Sequence, residues 1–231
     1  PVFLQMRIRS CHVHGRFTAK DNRPPPLSLR DALENPVRDL DRIVLAPASF
    51  LHEQEKINKR WPAAVDYIKK HGLNETFPGK RKDIGIIVQG GLYNSLLRTL
   101  ERLGQADAFG HSDIPIYVMN VAYPIIDDEV DEFCRGRDAV LLVEEGQPNY
   151  IEQSISTVLR NRDCETKLIG KSVLPMAGEY TSQVLRAGVV KFLEMNSRRY
   201  TAPEDPMQTV AGFIRELEGF VPPRPPGLCI G

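Results

Sequence analysis

The stretch DIGIIVQGGLYNSLLRTLERLG, residues 83–104, decides the fold class. Residues 84–88 form an apolar run, which is typical of a strand buried on both faces of a parallel sheet. Gly90 and Gly91 follow it, and residues 92–103 then repeat apolar side chains at helical spacing. A strand, a tight turn and an amphipathic helix in this order predict one unit of an α/β fold.

The same alternation continues along the chain. Three further apolar runs predict strands at residues 116–119, 139–143 and 166–169. Amphipathic segments predict helices at residues 126–134, 148–161, 179–195 and 206–217. We therefore predict a three-layer, Rossmann-like α/β domain with a mostly parallel sheet over residues 83–195. Its buried sheet residues are predicted to include Ile86, Val88, Ile116, Val118, Val140, Leu142 and Ile169.

The segments outside this domain do not show the alternation of strands and helices. Residues 2–9 alternate along the chain and predict a lone amino-terminal strand, and residues 10–29 contain three successive prolines that favour an extended linker. Residues 50–72 have helical apolar spacing, although Pro62 is expected to end or bend that helix. The chain opens in a strand-like run and closes on a second proline-rich linker. We therefore expect a piece of a longer polypeptide.

Composition excludes several functional classes. The 231 residues carry 30 Lys and Arg against 30 Asp and Glu, a formal net charge of zero, which argues against a nucleic-acid scaffold. The hydrophobic fraction of 42% is too high for general disorder. No apolar run approaches the roughly 20 residues of a membrane-spanning helix. No targeting signal is visible at the amino end, and a soluble protein is expected.

The four cysteines, Cys11, Cys134, Cys164 and Cys229, lie far apart and form no CxxC motif. Neither a disulfide framework nor a complete zinc site follows from this spacing, and a reducing cytoplasm is the simpler location. Cys134 and Cys164 fall in predicted packed elements, where we expect small apolar fillers. Cys229 lies in a Gly/Pro-rich stretch whose backbone is expected to wrap an ion or cluster.

Three motifs have both a functional and a structural interpretation. Gly90 and Gly91 stand where a loop could cradle a phosphate, but the triple-glycine fingerprint is absent and tight strand-to-helix packing is favoured. Glu144 and Glu145 end a strand at its carboxyl edge, where ligand crevices of open α/β sheets lie. A general base or charge clamp is conceivable there. We favour a structural or interface role, because adjacent strand residues point opposite ways and the two carboxylates cannot easily share one site. One glutamate is then expected to accept hydrogen bonds from the next helix or from a neighbouring domain.

His12 and His14 flank Val13 just after the first predicted strand, beside Arg9. Two imidazoles at this spacing could share one side of an extended segment, yet no further metal ligands stand nearby in sequence. Polar contacts to a pocket built by residues outside this chain are favoured over a metal site. Arg9, His12 and His14 are therefore the substrate-pocket candidates.

Four segments together resemble the large (alpha) subunit of the indolepyruvate ferredoxin oxidoreductase family: GLYNSLLRTLERLG, IPIYVMNVAYPIIDDEVDEFC, AVLLVEEGQPNYIEQSI and GKSVLPMAGEYT. The resemblance runs along the whole chain and is most specific over residues 91–180. Such enzymes use thiamine diphosphate and magnesium to decarboxylate a 2-oxoacid oxidatively to an acyl-CoA and CO2. Their electrons pass through iron–sulfur clusters to ferredoxin.

The resemblance also implies a domain order. Residues 1–28 would be the last strand of a pyrimidine-binding domain with its linker, and residues 29–82 a helical connector. Residues 83–195 would be a domain like the carboxyl-terminal domain of transketolase, and residues 196–231 a linker into a diphosphate-binding domain. Cys229 would be the first cysteine of a Cys-x-Gly-Cys-Pro cluster-ligating pattern.

The Gly-Asp-Gly…Asn motif that holds magnesium and diphosphate in such enzymes is missing from these residues. The resemblance therefore implies a segment with no catalytic residues and no cofactor of its own, which serves assembly with the other domains and the small (beta) subunit. An autonomous flavodoxin-like module that binds a nucleotide or CoA remains the alternative.

Overall fold

The computed structural model describes Thr18 and residues 28–36, 43–197 and 200–217. Contacts divide the chain into two units: one takes Pro1–Glu75 with Asn120–Ile126, and the other takes Thr76–Met119 with Asp127–Gly231. The predicted strand at residues 2–9, most of the linker at residues 10–29 and the proline-rich run after residue 217 lie outside the described residues. The predicted domain boundaries stay predictions.

The described strands form one sheet. They are β1 (Glu75–Phe77), β2 (Ile84–Gln89), β3 (Ile116–Met119), β4 (Ala139–Val143) and β5 (Lys167–Ile169). Their order is β1-β3-β2-β4-β5, and β2 pairs in parallel with both β3 and β4, as β4 does with β5. The predicted α/β class with a mostly parallel sheet is confirmed. Strand β1 was absent from the sequence prediction.

Except for α1, for which no helix was predicted, the described helices follow the predicted segments. They are α1 (Leu29–Glu34), α2 (Ala48–Glu55), α3 (Trp61–Lys70), α4 (Tyr93–Arg102), α5 (Asp127–Cys134), α6 (Tyr150–Asn161), α7 (Ser182–Asn196) and α8 (Pro206–Leu217). A short 3-10 turn, Gly90–Leu92, precedes α4. Helix α7 begins three residues later than predicted, because the Thr181 side chain caps it by accepting a hydrogen bond from the Val184 N–H.

Alternate residues of the strands face opposite helical layers. Ile86 and Val88 join the core cluster that α4 and α7 cover, together with side chains such as Leu96 and Phe192. Tyr117 of β3 faces the other way, where its ring centroid lies 5.7 Å from that of Phe133 in α5. This is the pattern of a sheet between two helical layers. All seven predicted core residues are buried, at 2% exposure or less.

In the first unit, one helix runs from α2 to α3 through a π turn, Lys56–Arg60. The sequence predicted that Pro62 would either end or bend this helix. Pro62 does not end it. It occupies the first turn of α3, directly after the π turn, where the i→i+5 pattern replaces the ordinary α ladder. The carboxyl end of this helix is anchored by Ile68, which is buried.

Candidate functional site

The carboxyl ends of β2, β4 and β5 are neighbours in the sheet, and polar side chains collect there. Glu144 follows β4 directly and is 4% exposed. Its two carboxylate oxygens accept hydrogen bonds from the backbone N–H groups of Ile151 at 2.9 Å and Glu152 at 3.0 Å. These donors lie in the first turn of α6, where the helix dipole favours negative charge. Glu144 therefore caps α6.

Glu145 has different partners. Its backbone N–H donates to Gln89 Oε1 at 2.8 Å, and its own Oε1 accepts from the Tyr180 N–H at 2.7 Å. The two glutamates thus bind different groups, in agreement with the alternation of adjacent strand residues. Glu145 ties the end of β4 both to the end of β2 and to the segment before α7.

Lys171 completes this arrangement from the end of β5. Its ammonium donates to the Glu144 carbonyl at 2.5 Å, the Gly146 carbonyl at 3.0 Å and the Tyr180 hydroxyl at 2.8 Å. Those three bonds use all three ammonium hydrogens. Burial lowers the pKa of Lys171, and the neighbouring carboxylates, Glu144 foremost, oppose that shift.

Tyr180 links Lys171 to the preceding loop. Its hydroxyl donates to the Pro175 carbonyl at 2.7 Å while accepting from Lys171. Burial, followed by the nearby glutamate charges, raises the pKa of Tyr180 to about 12. The phenol therefore keeps its proton near neutral pH, which the hydrogen bond to Pro175 requires.

Glu152 closes the group on the side of α6. Its Oε2 accepts from the Lys171 N–H at 3.1 Å and from Asn149 Nδ2 at 3.2 Å. A Cβ on Gly170 would lie 2.8 Å from Glu152 Cδ, so a larger residue there would displace the Glu152 carboxylate. We call the six side chains the carboxyl-edge cluster: Gln89, Glu144, Glu145, Glu152, Lys171 and Tyr180.

The carboxyl-edge cluster is a set of internal partners. Both oxygens of Glu144 and all donors of Lys171 are engaged with the protein itself. A general base needs reach to a substrate proton, which a carboxylate committed to two backbone donors does not offer. The arrangement suits a rigid clamp that fixes the loops after β4 and β5.

The predicted site residues have different outcomes. Glu144 and Glu145 lie in the carboxyl-edge cluster, and their interface role stays a prediction. Arg9, His12, His14 and Cys229 lie outside the described residues. Sequence reasoning did not single out Lys171 and Tyr180, although both stand in the quoted segment GKSVLPMAGEYT.

The packing interpretation of the glycine pair is wrong for Gly91, because a Cβ there would meet no atom within 4 Å. The expectation for the two cysteines holds for Cys134, which is buried and whose pKa burial raises to about 12. It is wrong for Cys164, which is half-buried. This thiol donates to Thr166 Oγ1 at 3.4 Å and lines a cleft of about 520 Å³ formed by residues 135–138 and 163–166.

The cleft lies at the opposite, amino edge of β4 and β5. It carries both signs of charge, and Arg135 is already bound to the Asp131 carboxylate and to the Arg162 carbonyl. Among the described residues, no group of three or more His, Cys, Asp and Glu side chains is arranged to hold a metal ion. No helix in the described ranges is long and apolar enough to cross a membrane.

Fold and site together define an open α/β unit whose own side chains fill the carboxyl edge next to β4, β5 and α6. No protein-family model matches the chain. The IorA subunit of indolepyruvate oxidoreductase from Methanothermobacter marburgensis is 27% identical over 100% of this chain and 34% of that protein. The IorA subunit of Thermococcus kodakarensis is 24% identical over 99% of this chain and 33% of that protein.

The chain thus spans about a third of the length of the curated relatives it matches. It is similar along its whole length to IorA subunits, and the resemblance predicted from its motifs is confirmed. Two solved structures also match. A 2-oxoglutarate:ferredoxin oxidoreductase from Magnetococcus marinus has a TM-score of 0.41 and 16% identity over 64% of this chain and 24% of that one. A split-gene transketolase has a TM-score of 0.36 and 21% identity over 52% and 43%.

Proposed function

We propose that this chain is an assembly segment of a thiamine diphosphate dependent, ferredoxin-linked 2-oxoacid oxidoreductase. In the intact enzyme, an aryl pyruvate, with indolepyruvate as the proposed substrate, is converted to an acyl-CoA and CO2. The small (beta) subunit, ferredoxin and CoA are its proposed partners, and the cytoplasm its proposed location. The similarity to IorA along the whole chain supports this assignment.

The observation that carries the assembly role is the capped amino end of α6. In open α/β sheets, a phosphate binds the free N–H groups at such a helix terminus. Here the Glu144 carboxylate takes the N–H groups of Ile151 and Glu152. An anionic ligand would have to displace a buried carboxylate that already satisfies those donors.

The same geometry tests the fit of the family's cofactors. The diphosphate of thiamine diphosphate needs N–H donors and a magnesium ion, and the carboxyl-edge cluster presents carboxylates and a fully engaged lysine instead. The carboxyl-edge cluster therefore does not fit the diphosphate of the cofactor. Our proposal assigns thiamine diphosphate and magnesium to other parts of the longer subunit. Cys229 of this chain would ligate an iron–sulfur cluster only in the full-length protein.

The capped helix also counts against the autonomous flavodoxin-like module. Such a module would bind a nucleotide or CoA phosphate at the carboxyl edge of the sheet. Glu144 fills that position at α6, and this carboxylate would repel the phosphate.

Turnover and ligand screening test the proposal. The purified 231-residue chain is expected to release no CO2 from indolepyruvate in the presence of thiamine diphosphate, magnesium, CoA and an electron acceptor. Its melting temperature is expected to stay constant with thiamine diphosphate, CoA or FMN. Turnover by the chain alone would refute the non-catalytic role, and a saturable melting shift with FMN or CoA would favour the flavodoxin-like module.

A further inference from the structure

The ammonium of Lys171 lies among three oxygen atoms at the carboxyl edge of the sheet. The carbonyl oxygens of Glu144 and Gly146 lie 2.5 Å and 3.0 Å from Nζ, and the Tyr180 hydroxyl oxygen lies 2.8 Å away. We call these three oxygens the ammonium cage. Two of them belong to the end of β4 and the loop after it, and the third belongs to the segment before α7, so the ammonium joins both parts of the chain.

Each oxygen of the ammonium cage presents a lone pair to Lys171. The two carbonyls have no hydrogen to donate. The Tyr180 hydroxyl directs its own hydrogen to the Pro175 carbonyl at 2.7 Å, which leaves its lone pair for the ammonium. The position therefore attracts a positive charge and repels an anion.

The charges next to the cage also favour a cation. The carboxylates of Glu144, Glu152 and Glu145 act on the Lys171 ammonium as negative charges. Glu144 is fixed by two backbone N–H groups of α6, so it stays beside the cage when the lysine is changed. Without a cation, the cage would leave half-buried lone pairs and negative charge without compensation.

The distances in the cage indicate the kind of cation. Magnesium binds oxygen at about 2.0–2.1 Å and calcium at about 2.3–2.6 Å, and both usually take carboxylate ligands. The cage distances lie between 2.5 Å and 3.0 Å, and its three oxygens carry no formal charge. Backbone carbonyls replace the hydration shell of potassium in the same way in ion channels. The cage therefore suits a monovalent cation better than a divalent one.

We infer that the ammonium cage is a binding site for a monovalent cation of the size of potassium or ammonium, and that Lys171 is its tethered occupant. The chain thereby holds the loops after β4 and β5 together without a free ion. Removal of the lysine side chain should open the site to a free cation, whose shell water completes in the space of the lysine stem. This inference rests on the contacts of the described residues and not on the proposed enzyme.

Lys171→Ala in the full chain tests the site. Thermal unfolding is followed in potassium, ammonium and choline chloride at equal ionic strength, so that screening is the same in all three. In choline, whose cation is too large for the cage, the variant should melt at least about 5 °C below wild type. Potassium and ammonium should each restore about half of that loss in a saturable manner. Equal melting temperatures of the variant in the three salts would overturn the inference.

Two control chains show whether the effect belongs to the cage. The wild type is expected to melt at the same temperature in potassium and in choline, because Lys171 already fills the cage. A potassium-specific shift of the wild type would contradict the tethered occupant. Lys191→Ala removes an exposed lysine of α7 and should show no difference between the salts. A difference there would indicate a general salt effect and count against the site.

A double variant locates the bound ion. Tyr180→Phe added to Lys171→Ala removes one of the three oxygens and should raise the half-saturating potassium concentration; an unchanged concentration would place the ion elsewhere and refute the assignment. Poor folding is also informative. A Lys171→Ala chain that folds in potassium but not in choline would agree with the inference, and a chain that stays unfolded in both would contradict it.

Discussion

Replacing Glu144 with alanine should destabilise the α/β unit markedly. The change removes the acceptors of two backbone N–H groups, Ile151 at 2.9 Å and Glu152 at 3.0 Å, at a position that is 4% exposed. A hydrogen bond to a charged group contributes about 1.5–3 kcal/mol, and loss of a helix cap costs about 0.5–2 kcal/mol. These contributions overlap, so we expect a loss of about 3 kcal/mol.

Urea unfolding followed by circular dichroism at 222 nm measures this loss as a lower midpoint at constant slope. Glu144→Gln keeps one carbonyl acceptor and should lose about half as much. Glu179→Ala is the matched control, because Glu179 is an exposed glutamate in the same edge region and should change stability by less than about 0.5 kcal/mol. A Glu144→Ala chain within about 0.5 kcal/mol of wild type would refute the capping argument.

Three other predictions test the fold. Leu142→Asp should unfold the unit, because Leu142 is 1% exposed and burying an unpaired carboxylate costs several kcal/mol; a soluble variant with unchanged melting would contradict its placement. Gly170→Ala should destabilise, because its Cβ, 2.8 Å from Glu152 Cδ, would push that carboxylate away from the Lys171 N–H. Gly91→Ala should be neutral or stabilising by up to about 1 kcal/mol, because its Cβ meets no atom; equal melting temperatures for the two variants would contradict this. Burial raises the pKa values of Cys134 and Tyr180 to about 12 from 9.0 and 10.0. The unfolded chain therefore releases these protons first, and stability should fall as the pH rises from about 9 to 12; a slope that Tyr180→Phe and Cys134→Ala leave unchanged would count against it.

The central strands could be predicted because burial on both sheet faces leaves a local signature. Residues 116–119 and 139–143 were predicted with the bounds that the structure shows, since a covered parallel strand is a continuous apolar run. Strand β1 has no such signature. It is the three-residue sequence Glu-Thr-Phe at the sheet edge, with two exposed side chains, and its pairing depends on the sheet and not on its own composition.

The carboxyl-edge cluster could be predicted only in part. The position of Glu144 and Glu145 after a buried strand pointed to this edge, and hydrogen bonding of one glutamate to the next helix was foreseen. The contacts from Lys171 and Tyr180 join residues that are 27 and 35 positions apart from their partners. Local periodicity carries no information about such contacts, because they depend on how separate loops meet.

At Pro62 the local sequence signal is strong, but the structural outcome is different from the simplest prediction. Its ring and missing N–H predict an interruption of an α-helix, and the chain accommodates it by a π turn over Lys56–Arg60. The propensity of proline predicts where a helix is disturbed. It does not predict whether the helix ends there or continues through a π turn.

The central claim is that Glu144 closes the amino end of α6, at the carboxyl edge of the sheet, against anionic ligands. The backbone amide resonances of Ile151 and Glu152 test it most directly, because Glu144 holds both N–H groups. Titration of the isotope-labelled chain with thiamine diphosphate and magnesium, CoA or FMN should leave both resonances unmoved. A saturable shift of either resonance with any of these ligands would contradict the account.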